Sequence, residues 1–216
     1  MDWRERYERA AARYAAGESR EADERQLVQL ANAAWAAGLS LLMAGDREGA
    51  RKWLRRSAAR YRESWSPNAW GRPIGAMKAL LIAGDEPPCN TVLLAAEWAL
   101  DEGAAEAESP IGRYAGVLAL LVLDRDEEAG DLAATLGEEF PSDVSAALCA
   151  LAAHDADAYG AAVASVRRSF EEREAFLEDV PVADTALALD ALARRRSPAA
   201  LGPERRTQRR RPEDPT

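Results

Sequence analysis

Asp46, Asp85 and Asp124 stand 39 residues apart, and each closes an apolar run with helical periodicity. A unit repeated at a fixed interval constrains the chain to stack its copies, because one amphipathic hairpin cannot bury its own apolar face. At the first copy, Gly45-Asp46 ends one helix and starts the next. Glycine supplies the left-handed turn, and aspartate accepts hydrogen bonds from the free amides of the following helix. Gly84-Asp85 follows the run 77–83, and Leu123-Asp124 follows 116–122. A fourth copy centres on His154-Asp155, 31 residues beyond Asp124, and keeps the internal register. Asp46, Ala50, Leu54 and Tyr61 match Asp155, Tyr159, Val163 and Phe170, at offsets of 4, 8 and 15 in both.

The periodicity predicts helices throughout and strands nowhere. From Ser19, read as an N-cap, to Ala44, apolar residues at Leu27, Leu30, Ala31, Ala34, Gly38, Leu41 and Leu42 keep helical spacing, while Trp35, Leu39 and Met43 fall off that stripe. Such a helix is expected to be covered on two sides. The next carries one stripe at Ala50, Trp53, Leu54, Ser57, Ala58 and Tyr61. Residues 2–16 read as an amphipathic first helix, and Glu178-Asp179-Val180-Pro181 as the start of a last one running through Ala193. Alanine and leucine dominate the 48 % of hydrophobic residues, which favours helix over strand. Residues 1–196 therefore read as one helical repeat domain, and 197–216, with prolines, charges and few apolar residues, as a disordered tail.

The unit from Trp35 to Tyr61 resembles the tetratricopeptide repeat, in which a small residue in the first helix meets an alanine on the second. Gly38 and Ala50 occupy those places here, with Leu41 and Leu54 as the larger packing positions. The resemblance implies an all-α, right-handed α-α superhelix (a TPR-like solenoid) of about four antiparallel helical hairpins with N- and C-terminal capping helices. It also implies a binding surface on the first helices of the hairpins.

Chemistry-bearing patterns are sparse. His154, the sole histidine, falls at a helix-helix turn and reads as a turn residue. Cys89 and Cys149 read as reduced thiols in helices and, with His154, are poor material for a zinc site. Asp155-Ala156-Asp157 opens like a calcium loop, but Val166 stands where the twelfth-position glutamate belongs. The densest carboxylate group, Glu171, Glu172, Glu174, Glu178, Asp179 and Asp184, resembles the charge on most helix faces here. No phosphate-binding, dinucleotide, nucleophile-elbow or zinc-protease motif occurs. The reading is a non-enzyme with no catalytic residues, no metal and no cofactor.

Charge refines the choice of partner. The net charge is −9, but eight arginines against Glu204, Glu213 and Asp214 give residues 194–216 a local +5 and leave −14 elsewhere. An acidic body disfavours nucleic acid except through the tail. Neither a secretory signal nor a membrane span is read from the chain, which predicts a cytoplasmic location. Twenty-six arginines against two lysines are in keeping with a bacterial or archaeal source. The leading expectation is a non-catalytic protein-interaction module, whether adaptor, assembly factor or inhibitor/immunity-type protein, binding an unknown protein or peptide. The candidate site is the loop with Trp65, Trp70 and Arg72 and a neighbouring groove with Lys78, Arg113 and Tyr114. The alternatives are a small-molecule receptor or enzyme at the same loop, and nucleic-acid association through the tail.

Overall fold

The computed structural model describes residues 2–18, 23–84 and 90–196; Ser19, Asp85, Cys89 and the segment 197–216 lie outside them. Among the described residues the chain forms ten α-helices and no strand. They are α1 (Trp3–Glu18), α2 (Glu24–Met43), α3 (Arg47–Glu63), α4 (Gly71–Ala83), α5 (Thr91–Asp101), α6 (Pro110–Val122), α7 (Asp126–Ala133), α8 (Ser142–Ala152), α9 (Ala156–Glu171) and α10 (Asp184–Arg196). A short 3-10 turn, Leu177–Asp179, precedes α10. None of the described helices is long and apolar enough to cross a membrane.

Each of the first nine helices packs on its chain neighbours, and α4, α6 and α8 also touch in series. The apolar middle of α2 is buried from Ala33 to Leu41, since α1 covers one side and α3 the other. Trp53 of α3 takes the edges of Tyr7 and Tyr14 from α1, with ring centroids 6.1 and 5.2 Å away. Ser57, the polar member of the α3 stripe, donates its hydroxyl to the Ala31 carbonyl at 2.9 Å, so its burial leaves no orphan group.

One contact repeats at the centre of the hairpins. A Cβ added to Gly38 would stand 2.7 Å from Cγ of Leu54, and one added to Gly116 would stand 2.9 Å from Cδ2 of Leu132. In both, a glycine on the first helix receives a leucine sixteen residues later. For Gly38 the nearest partner is thus Leu54 rather than Ala50.

The structure shifts one of the expected turns. The amides of Asp46, Arg125 and Asp155 each donate to the carbonyl five residues back, at 2.9, 2.9 and 3.0 Å. The position before each is left-handed: Gly45 (φ 86°), Asp124 (φ 58°) and His154 (φ 56°). Asp124 therefore does glycine's work in its turn and is not the N-cap, and Arg125 holds the cap place without a side-chain bond. Leu123 cannot fill the left-handed position cheaply, whereas aspartate tolerates it, so the turn shifts by one residue.

Two helix starts also move. Asp23 caps α2 by accepting from the Gln26 amide at 2.7 Å, which puts the start beyond the Ser19 of the sequence reading. At the other end Glu178 and Asp179 are left-handed, and Val180 is extended, as a residue before proline prefers. Helix α10 begins only at Asp184, after Val180 and Val182 have each been buried.

Helix α10 turns back on the stack, packing on α4 as well as on α9. The preceding 3-10 turn touches α2, Arg13 of α1 pairs with Glu178 at 2.7 Å, and Arg6 donates to the Asp179 carbonyl. The last described segment thereby meets the first.

Candidate functional site

Four of the six predicted residues belong to α4 and α6, and the structure gives three of the four internal roles. Lys78 donates to Oδ2 of Asp184 at 2.6 Å and to Oγ1 of Thr185 at 3.0 Å, fastening α4 to the start of α10. Its ammonium lies 5.7 Å from the centre of the buried Trp35 ring. Only 12 % of the Lys78 side chain is exposed. Tyr114 is buried against Phe140, with ring centroids 5.1 Å apart. Burial first, and then the Asp184 carboxylate, push the Tyr114 hydroxyl far above the ordinary tyrosine range, and the same two causes act on Tyr61. Tyr61 therefore stays protonated and donates to Oδ1 of Asn32 at 2.7 Å.

Arg72 donates to Glu24 at 2.8 Å, and Ser66 donates to the same carboxylate oxygen, also at 2.8 Å, tying the 64–70 loop to the start of α2. Arg113 is half-buried, and its Nε has no hydrogen-bond partner.

The two tryptophans form an aromatic group within the main apolar core, which also holds Tyr114 and Phe140. Trp70 is 7 % exposed and lies 5.4 Å from Trp65, which meets Trp98 of α5 edge-on at 5.6 Å. A Cβ at Gly112 would stand 2.8 Å from Nε1 of Trp70, so that glycine gives the indole its place against α6. The six residues do not converge on one surface. Lys78 and Tyr114 gather about Asp184, Arg72 holds a loop, and Trp65 and Trp70 close the gap between successive hairpins.

An apolar trough lies beside these tryptophans, between α3, α4 and α5, with a volume of about 710 Å³. Ala58, Ala76, Leu80 and Ala95 form its floor, and Leu94, 58 % exposed, stands on its edge. Arg55 and Arg62 rise from α3, Glu97 and Asp101 from α5 and Glu102 from its C-cap, with Arg62 5.2 Å from the Trp98 ring centre. Compared with protein-family models, curated proteins and solved structures, the chain matches none.

Leu94, Trp98 and Arg62 were not among the residues singled out from the sequence. Each lies on a helix with an ordinary pattern, and the trough arises because small residues on three helices leave room at one place. No local signal announces such a coincidence.

A second polar centre lies at the other end of α10. Arg196, whose side chain is 5 % exposed, donates to the Leu121 carbonyl at 2.6 Å, to the Leu151 carbonyl at 3.5 Å and to Asp126. His154 Nε2 meets Asp126 from the opposite side at 2.7 Å. Burial raises the Asp126 carboxyl, but the hydrogen bonds and charges of Arg196 and then His154 prevail and hold it below its ordinary value of 3.8. A carboxyl depressed in the folded state contributes stability that is complete above its unfolded value and is lost as pH falls through the folded one. The melting temperature of the wild type is expected to fall more steeply between pH 4.5 and pH 3 than that of Asp126→Asn, and parallel curves would refute this role.

Cys149 of α8 is a half-buried free thiol. Among the described residues no group of three His, Cys, Asp or Glu side chains is placed to hold a metal ion.

Proposed function

We propose that the chain is a protein-interaction module built from TPR-like hairpins, and that its partner lays an apolar stripe of side chains into the trough between α3 and α5. The observation that carries this reading is the trough itself, where an exposed leucine, a tryptophan and two arginines surround an alanine-rich floor. Tryptophan and arginine concentrate binding energy at interfaces, and an open apolar patch rimmed by charge is characteristic of association surfaces. The small floor residues suit the ridge of a helix or a short peptide better than a flat surface. The face carrying Lys78 and Tyr114 is the poorer site, because a partner there would have to displace α10 from Asp184 to Arg196. Adaptor, assembly and inhibitor roles all use such a surface, and the acidic body favours a basic partner.

Recovery of a stoichiometric protein from native lysate by the wild-type chain, with roughly tenfold weaker recovery by Leu94→Glu, is the expected result. Asp157→Asn, on the distant helix α9, serves as the control. Equal recovery by both variants would move the site elsewhere, and recovery of no partner by the wild type would count against the module.

A further inference from the structure

A different groove, between α5, α6 and α7, has a volume of about 590 Å³. Leu100, Leu120 and Leu132 line its floor, and Asp101, Glu106, Glu128 and Asp131 its walls. The one basic residue lining it is Arg125, and that cation is already taken by Glu128. Asp101, Glu106 and Asp131 form no ion pair with another described residue. The groove thus carries a local charge of −3 above an apolar floor.

The same chain holds a segment of opposite charge, and the structure places its starting point. The buried guanidinium of Arg196 binds the Leu121 and Leu151 carbonyls and lies 3.6 Å from Asp124. Asp124 and Arg125 form the turn between α6 and α7, and Arg125 is also a wall of the groove. The main chain at Arg196 therefore lies within the length of an arginine side chain of the groove's corner. Residues 197–204 separate Arg196 from Arg205, Arg206, Arg209, Arg210 and Arg211. Eight residues span roughly 27 Å when extended, enough to round one helix end.

We infer that the arginine-rich segment 205–211 docks in the acidic groove between α5 and α7 of its own chain. Tethering raises its local concentration to the order of millimolar, so weak intrinsic affinity is enough to populate the docked state. The arginine stems cover the leucine floor while their guanidinium groups meet the carboxylates on the walls. The trough between α3 and α5 is the poorer dock, because Arg55 and Arg62 on its wall offset two of its three carboxylates, Glu97, Asp101 and Glu102. Docking also withholds the arginines from phosphate backbones, which gives an acidic body control over a polycation.

The test uses the full chain carrying Arg210→Lys and a zero-length carbodiimide, which joins an amine to a carboxylate only on direct contact. Lys52 and Glu48, 2.8 Å apart, provide the internal standard for the reaction. Links from the introduced amine are expected to concentrate on Asp101, Glu106, Glu128 and Asp131. Asp101→Asn with Asp131→Asn should lower the links to Glu106 and Glu128 about fivefold, as removal of exposed attracting charges predicts, while Asp157→Asn leaves them unchanged. Three results would overturn the inference: links scattered over other carboxylates, links joining two chains in an isotopically mixed sample, or formation of the standard without any groove link.

Discussion

Leu54→Ala is expected to destabilise the fold by about 4 kcal/mol, near the upper end for a buried leucine. The side chain is fully buried, and the helix opposite offers it a glycine, Gly38, where other packings offer a side chain. Nothing at that point can swing into the space left behind, so the cavity term stays close to its maximum. For a chain of this size the melting temperature should fall by roughly 8–16 °C, with the urea m value unchanged. Gly38→Ala puts a Cβ 2.7 Å from the Leu54 side chain and is expected to cost about 1–3 kcal/mol by overpacking. Combined with Leu54→Ala, the new methyl group enters the vacated space, and the pair should cost clearly less than the sum. Strict additivity would mean that the two residues are not in contact.

Lys78→Met is expected to destabilise by about 3 kcal/mol, because it leaves the Asp184 carboxylate facing α4 without its cation. Asp184 is mostly shielded, with 22 % of its side chain exposed, and it already raises the cost of ionising Tyr61 and Tyr114. Replacing both partners, as Lys78→Met with Asp184→Leu, removes the stranded charge and should recover about half of the loss. Equilibrium unfolding of the two single variants and the double variant measures the coupling directly. A coupling near zero would mean that the pair is screened like any surface ion pair and does not hold α10.

The hairpin of α2 and α3 was legible because its information is local. Apolar spacing, a Gly-Asp turn and a stripe from Ala50 to Tyr61 lie within a few turns of one another, and the fourth copy repeats the same signals at Asp155. The turn at Asp124 was misplaced by one residue because a left-handed aspartate and an N-cap aspartate look alike in sequence; only the backbone angle separates them. Helix α10 was recognised from its apolar residues, but its start was set too early, since two left-handed residues and an extended valine carry no periodic signature. Its destination was not legible. Lys78 and Asp184 are 106 residues apart, and nothing near either one indicates the other. The placement of the candidate site residues was not legible for the same reason. Tryptophans and arginines were chosen by type, whereas their roles are decided by the helix that lies across them.

The salt bridge between Arg13 and Glu178, together with the bond from Arg6 to the Asp179 carbonyl, bears on how the molecule comes apart. A linear array of hairpins melts from its outer units inward, each lost at a small local cost. Here the first helix is tied to the segment before α10, so fraying of either end breaks these contacts too, and their long sequence separation slows their formation. The two ends are thereby expected to open together, which native-state hydrogen exchange would show as similar opening free energies for α1 and α10.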